Sequence, residues 1–331
     1  MKICAGIIGS GVGAKHFEAI QNYKKSLVKF ICEKDKKKHL ILKKKFKNTK
    51  IISNENEIFK DKNINLVSIA SYDNHHFDQI SKCIKYNKNI IVEKPMCLKL
   101  NELKKINNLL KKKPKIKITS NLVLRCNQFF NQVKKNISKD DIISIEADYL
   151  WGRRYKLREW RSKLKNYSII LGAGIHMIDL VMWLINSRPL SVQSFGNKIG
   201  TERSNFKKES FAYSIFEFPQ KKIVKVSSNA SGIFDHFHEL KIFEKNKTLI
   251  HSYNGTFYFK KFGKKNYYDK IKPNYPDKKN RKKLIQNFID EILFNKKKKF
   301  ITVKEQIDLM SVCLAAEKSL KEGKKIKINY L

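Results

Sequence analysis

Short apolar runs alternate with helix-length polar segments through the first third of the chain. Ile3 to Ile8 ends in closely spaced glycines, Gly9, Gly11 and Gly13, and an amphipathic run follows from Ala14 to Tyr23; this predicts strand, tight turn and helix. Leu27 to Cys32 reads as a second strand, Lys37 to Phe46 as a basic helix, Ile51 to Ser53 as a short strand and Asn54 to Phe59 as a short helix. Leu66 to Ala70 is almost continuously apolar, as a central parallel strand covered on both faces must be. Phe77 to Tyr86 predicts a helix, Asn89 to Val92 a strand, and Lys115 to Thr119 the last strand of this series. Strands alternating with helices predict a parallel sheet flanked by helices.

Beyond residue 120 the pattern changes. Gln128 to Ile137 predicts a helix, and Ile142 to Leu150 alternates and is rich in β-branched residues, as a strand is. Gly172 to Leu184 enters a helix with His176, Asp179, Leu180 and Trp183 on one face. Six strands are then predicted: Ser191 to Phe195, Phe211 to Phe218, Ile223 to Asn229, Glu239 to Phe243, Lys247 to His251 and Thr256 to Phe262. Their short turns imply a mostly antiparallel sheet with one Phe-rich apolar face. The other face is expected to pack on a second subunit, giving a homodimer or homotetramer, because a broad sheet does not easily stay half open. Arg281 to Phe294 and Val303 to Glu322 read as closing helices, Lys296 to Lys299 as a solvated charged loop, and Lys324 to Asn329 as a final strand. The expected division is an α/β domain with a parallel sheet over residues 1–120 and an α+β domain over 121–331.

Composition narrows the function classes. No apolar run is long enough to span a bilayer, and Met1-Lys2 leads into the first strand too quickly for a signal peptide. The six cysteines form no Cys-x-x-Cys pair, which argues against a zinc site or a disulfide framework and suits a reducing cytoplasm. The net charge of +41 invites a nucleic-acid reading, but 63 of the 71 basic residues are Lys and only 8 are Arg, spread over most of the chain. Arg supplies the bidentate forks that read bases, so solvated Lys faces fit better than a nucleic-acid surface. The charge still favours anionic ligands.

The glycine turn, Gly9-Ser10-Gly11-Val12-Gly13, lets backbone come close to a diphosphate while the helix behind it offers its free N–H groups. Glu33 ends the second strand 24 residues beyond Gly9, near the ~20-residue spacing of a ribose-binding carboxylate. A carboxylate there repels a 2′-phosphate, so NAD is expected before NADP. Ser71-Tyr72-Asp73-Asn74-His75-His76 and Glu93-Lys94-Pro95 both follow strands, at the sheet rim where ligands of such folds bind. Proline keeps Lys94 extended, and a lysine there can relay a hydroxyl proton. Asn121 and Arg125 follow the last strand as substrate-contact candidates, with a structural salt bridge as the second reading of Arg125. The segment Trp151 to Lys165 holds four of the eight arginines and two of the three tryptophans. Trp151, Arg153, Trp160 and Arg161 are read as a loop gripping a sugar or anion, with a subunit-contact arm as the second reading. Asp179 is expected to orient His176 or cap its first turn.

In this order, Gly9 to Gly13, Glu33, Ser71 to His76, Glu93-Lys94-Pro95 and Gly174-Ile175-His176-Met177-Ile178-Asp179 resemble the glucose–fructose oxidoreductase/inositol dehydrogenase (Gfo/Idh/MocA) family over nearly the whole chain. The resemblance implies an N-terminal Rossmann NAD(P)-binding domain over residues 1–120, a C-terminal α+β domain over 121–331 with a large open-faced, mostly antiparallel sheet for substrate binding and oligomerisation, and NAD(P)-dependent hydride transfer to or from a sugar, a cyclitol or a related hydroxyl compound. Lys94 matches the family's catalytic lysine and His176 its catalytic histidine, and His76 falls where a histidine is frequent near the cofactor. Three departures stand out. Ala14 takes the third-glycine place, Ser71-Tyr72-Asp73 replaces Thr-Pro-Asn, and Gly172 stands where many members carry an aspartate four residues before the histidine. Two alternative activities use the same machinery: oxidation of a nucleotide-linked sugar for surface polysaccharide synthesis, and glycoside cleavage through a cycled NAD. A non-catalytic nucleic-acid binder would leave Lys94 and His176 without a shared role.

Overall fold

The structure, a computed structural model, describes residues 2–260, 279–295 and 300–331. Two compact units are built from the described residues of Met1–Cys126 with Lys278–Ile307, and of Asn127–Asp277 with Asp308–Tyr330.

In the first unit the elements run β1 (Ile3–Ile8), α1 (Gly13–Gln21), β2 (Ser26–Cys32), α2 (His39–Lys45), β3 (Lys50–Ile52), α3 (Asn56–Lys60), β4 (Leu66–Ile69), α4 (His76–Lys85), β5 (Asn89–Val92), α5 (Leu100–Lys112) and β6 (Ile118–Ser120). The six strands form one parallel sheet in the order β3-β2-β1-β4-β5-β6. Every residue of β4 is buried, which is why its sequence is apolar except for Ser68. The strand order reverses between β1 and β4, and in such sheets the ligand crevice opens at the carboxyl ends of those two strands. Helix α5 is not among the elements expected from the pattern. Leu103, Ile106 and Leu110 bury its apolar stripe, and the Glu102 carboxylate accepts from the Leu98 and Lys99 amides at 3.0 and 3.2 Å to fix its start.

The second unit begins with α6 (Gln128–Asn136), β7 (Ile142–Leu150) and α7 (Ile175–Ile185). It continues through β8 (Ser191–Asn197), β9 (Phe211–Glu217), β10 (Ile223–Asn229), β11 (Phe237–Glu244), β12 (Thr248–Ser252) and β13 (Gly255–Phe259). Residues 261 and 262 of the last expected strand, and the charged loop 296–299, lie outside the described residues. The chain closes with α8 (Lys279–Phe294), α9 (Val303–Glu322) and β14 (Ile326–Lys327). The sheet order is β13-β12-β11-β7-β10-β9-β8-β14. Its pairings are antiparallel except β7–β10, which run parallel with Ile223 opposite Ser144, so the sheet is mixed at its centre.

Helix α7 packs on β7 and β10, in which Ile145, Ala147, Val224 and Val226 are buried. The outer face exposes Phe195, Tyr213, Ile215 and Ile223. Beside them Lys225 lies 3.4 Å from Glu146 and 3.3 Å from Asp148, and Lys241 lies 3.2 Å from Glu146. Helix α8 belongs to the first unit: Leu284, Ile285, Phe288, Ile289 and Ile292 share one core cluster with Ala19 and Ile20 of α1, and the Tyr23 hydroxyl donates to Asp290.

Candidate functional site

The glycine turn sits where the strand order reverses. Gly9 has φ +94°, and a side chain there would strike the Ala70 carbonyl oxygen at 2.4 Å, so the turn holds glycine for both backbone conformation and close approach to the end of β4. Gly11 differs: a Cβ built on it meets no atom within 4 Å. That open backbone, followed by the α1 N-terminus at Gly13, suits an approaching diphosphate.

Ser10 and Glu33 form one unit beside the turn. The Glu33 carboxylate accepts from the Ser10 amide at 3.3 Å, from the Ser10 hydroxyl, and from the Asp35 amide at 3.0 Å. Burial pushes this carboxyl up, but those bonds and the Lys38 charge outweigh it, so it titrates below the usual glutamate range. An ionised carboxylate is therefore held at the end of β2 beside the turn. The turn and Glu33 together fit the dinucleotide expected from the sequence.

On the other side of the reversal, the Ser71 hydroxyl donates to Gln79 Oε1 at 2.6 Å while Tyr72 is exposed. His76 is fully buried, with Nδ1 at 2.6 Å from the Pro95 carbonyl and Nε2 at 3.2 Å from the Ser71 carbonyl. Its ring ties the loop after β4 to the loop after β5 from beneath, a bracing position rather than one facing a ligand.

Glu93 is the hub of this rim. His16, buried on α1, places Nε2 at 3.0 Å from Glu93 Oε1 and Nδ1 at 2.7 Å from the Ser68 hydroxyl. The Asn121 amide donates to the same carboxylate at 2.5 Å, and Arg281 Nε of α8 lies 3.8 Å from it. Burial raises the Glu93 carboxyl, yet the His16 bond and the charges of Arg281 and Lys94 hold it well below the usual glutamate range. Lys94, half-buried, follows in the chain and is fixed between this anchored carboxylate and buried Pro95. Asn121, expected to touch substrate, is buried and its side-chain amide supports Glu93. Arg125 is buried, and its guanidinium pairs with Glu305 at 2.6 Å, the structural role that was its second reading. His16 and Arg281 are absent from the expected set of site residues.

In the second unit, the segment before α7 forms a single π-helical turn, Ile170–Gly174. A side chain at Gly172 would begin 2.2 Å from the Tyr167 hydroxyl oxygen, so this tyrosine fills the place where the family's aspartate would project. His176 and Asp179 are buried one turn further on. The His176 ring stacks on Tyr149 of β7 at 5.8 Å with 12° between planes. Around them stand His238, 4.7 Å from the Tyr149 ring, and His236, 5.3 Å from it. Burial, followed by repulsion from the neighbouring histidines, holds His238 far below the usual histidine value. Burial and the Arg153 charge bring His236 down to about 4. The expected set lacks these two residues; His238 lies on β11 and His236 just before it. Among the described residues, no group of His, Cys, Asp and Glu is arranged to hold a metal ion.

The arginine and tryptophan loop divides. Trp151 is buried, its amide donating to the Asn229 carbonyl at 2.8 Å. The Arg161 guanidinium lies 4.3 Å from the Trp160 ring, 5.1 Å from Trp151 and 5.9 Å from Tyr167. Trp151, Trp160 and Arg161 therefore hold one another, while the charge of Arg153 lowers His236 and those of Arg153 and Arg161 both act on Tyr149.

Residues 3–121 match the profile of the oxidoreductase family with an NAD-binding Rossmann fold, and residues 139–250 match the GFO/IDH/MocA C-terminal domain. An uncharacterised Escherichia coli oxidoreductase, YhhX, is 25% identical over 212 residues, which are 62% of this chain and 55% of that protein, so the match spans about half of the relative's length. The fold is shared with myo-inositol 2-dehydrogenase from Lactobacillus plantarum, with TM-score 0.83, 17% identity, and 99% of this chain and 100% of that one covered. It is also shared with scyllo-inositol dehydrogenase from Lactobacillus casei, solved with NAD(H) and scyllo-inositol, with TM-score 0.79, 15% identity and 99% of each chain covered. An Agrobacterium radiobacter oxidoreductase, solved with NAD+, L-tartaric acid and magnesium, superposes with TM-score 0.85 at 13% identity, over 99% of this chain and 98% of that one.

Proposed function

The chain belongs to the Gfo/Idh/MocA oxidoreductase family, and from that premise we propose that it is an NAD-dependent dehydrogenase of a sugar, cyclitol or sugar derivative. The observation that carries this reading is the anchored Glu93-Lys94-Pro95 loop at the rim that also holds the glycine turn and Glu33. Bound at the turn, the dinucleotide supplies the hydride acceptor or donor. Gly9 to Gly13 would receive its diphosphate, Ser71 and Tyr72 would border it, and Glu33 would receive the ribose hydroxyls of NAD, with NADP disfavoured by charge.

Lys94 is assigned the proton of the reacting hydroxyl. The amine takes that proton when a hydroxyl is oxidised and the ammonium returns it when a carbonyl is reduced, while the neighbouring Glu93 carboxylate is held by His16 and Asn121 and kept from acid–base work. His176 is assigned the second acid–base place, with a ring aligned by Tyr149 and surrounded by histidines that burial keeps neutral at pH 7. Relatives of the same fold solved with inositols support the substrate class. The exposed Phe195, Tyr213, Ile215 and Ile223 on the outer sheet face support association through that sheet. No helix among the described residues is long and apolar enough to cross a membrane. The six scattered cysteines, with no Cys-x-x-Cys pair, support a cytoplasmic location.

Isothermal titration with NAD and with NADP tests the reading. Micromolar binding of NAD, at least tenfold tighter than NADP, is expected, and folded protein that binds neither would refute it.

A further inference from the structure

The loop after β7 builds a second feature beside the His176 cluster. Arg154, Tyr155 and Arg158 form one wall of a cavity of about 560 Å³, and Ile233, Phe234 and Asp235 form the other. That volume lies in the range of small-molecule sites. Gly152 joins the two walls: its φ is +61°, and a Cβ there would lie 2.1 Å from the Phe234 carbonyl oxygen and 2.7 Å from the His236 amide nitrogen. The loop is thereby pinned to the 234–236 turn, and His236 continues from that turn to Tyr149 and His176.

The electrostatics of the cavity call for an anion. From Trp151 to Lys165 there are seven basic residues against the single Glu159. Among the described residues, neither Arg154 nor Arg158 has a carboxylate within ion-pairing distance, and Arg154 donates only to the Gly200 carbonyl at 3.2 Å. The carboxylate on the opposite wall, Asp235, accepts from the Tyr253 hydroxyl. Burial, then the charges of Arg153 and Arg161, depress the Lys156 ammonium, a sign of local positive excess. Two guanidinium groups on one wall suit the oxygens of a phosphoryl group better than lysines would. Tyr155, 60% exposed, and Phe234, 46% exposed, offer ring faces at the same cavity.

We propose that this cavity binds a phosphate-bearing part of the substrate, with Arg154 and Arg158 on the phosphate and Tyr155 and Phe234 against an adjoining ring. The proposal rests on the dehydrogenase reading above and narrows its substrate to a phosphorylated one. The phosphate has two possible sources, a sugar phosphate or a nucleoside diphosphate joined to a sugar.

The test is calorimetry on the full chain saturated with NAD, titrated with glucose 6-phosphate, with uridine diphosphate and with inorganic phosphate, for wild type and for the R154Q/R158Q double variant. Expected is wild-type binding of at least one phosphorylated probe, weakened tenfold or more in the double variant, while the NAD affinity of both proteins agrees within about twofold. Preference for uridine diphosphate identifies the nucleotide source, and preference for glucose 6-phosphate the sugar phosphate. Wild type that binds NAD but none of the three probes overturns the cavity proposal and leaves the dehydrogenase reading standing. Equal probe affinity in wild type and an NAD-competent double variant overturns it as well. Folded protein that binds a probe through these arginines but does not bind NAD keeps the anion site and removes the dehydrogenase reading.

Discussion

His16 Nε2 stands 3.0 Å from Glu93 Oε1, so a helix that begins at the glycine turn is tied directly to the carboxylate preceding Lys94. Removing the His16 donor leaves a buried carboxylate oxygen without that hydrogen bond, at a cost of about 1–3 kcal/mol. His16→Phe is expected to lower unfolding free energy by about that amount in urea titrations, with Glu93→Gln costing less because an amide can still accept from Asn121. Equal stability of His16→Phe and wild type would show that the pair carries no weight.

The same carboxylate sets an acid limit. Its pKa in the folded protein is lowered from the ordinary 4.5, so its stabilising contribution is complete above that value and is lost as pH falls toward the folded pKa. Denaturant midpoints measured from pH 6 to pH 3 should fall more steeply for wild type than for Glu93→Gln.

Glu317 on α9 has the opposite sign. Burial pushes it up to about 7, against the hydrogen bond it accepts from Ser168. An acid with a raised folded pKa loses stability as pH rises from the ordinary 4.5 to about 7. Glu317→Gln is therefore expected to stabilise the protein at pH 8 by about 1–3 kcal/mol and to have no effect below pH 4, as read from chemical denaturation at both values.

Gly9 and Gly11 separate fold from ligand. Gly9→Ala forces a side chain onto the Ala70 carbonyl at positive φ and should destabilise by about 1–3 kcal/mol. Gly11→Val meets open space, so its denaturation midpoint should stay within about 0.5 kcal/mol of wild type. Its NAD affinity should nevertheless drop by more than tenfold. Unaltered NAD binding in Gly11→Val would place the dinucleotide elsewhere.

Much of this was legible in the chain because it is local. The runs at Ile3–Ile8, Leu66–Ile69 and Asn89–Val92 are apolar because both sheet faces are covered, and alternation marked Ile142–Leu150 and Ile223–Asn229. The parallel pairing of β7 with β10 was not legible, since register between distant strands is set by the assembled sheet. Nor was the return of α8 to the core of the first unit, which rests on contacts between Leu284–Ile292 and residues near position 20. At the rim, Lys94 could be singled out from its neighbours in sequence. Its support, from His16, Asn121 and Arg281, comes from residues distant in sequence. Within the loop 151–165, Arg161 lies against Trp151 and Trp160 while Arg154 and Arg158 line the cavity, an arrangement set by packing that composition alone does not give.

The most direct test is NADH absorbance with saturating NAD across inositols, free sugars and phosphorylated sugars, comparing wild type with Lys94→Ala. Turnover of at least one compound by wild type is expected, reduced about 10²–10⁴-fold in Lys94→Ala while NAD affinity changes less than threefold. Full turnover in Lys94→Ala would contradict the assignment of the proton to Lys94.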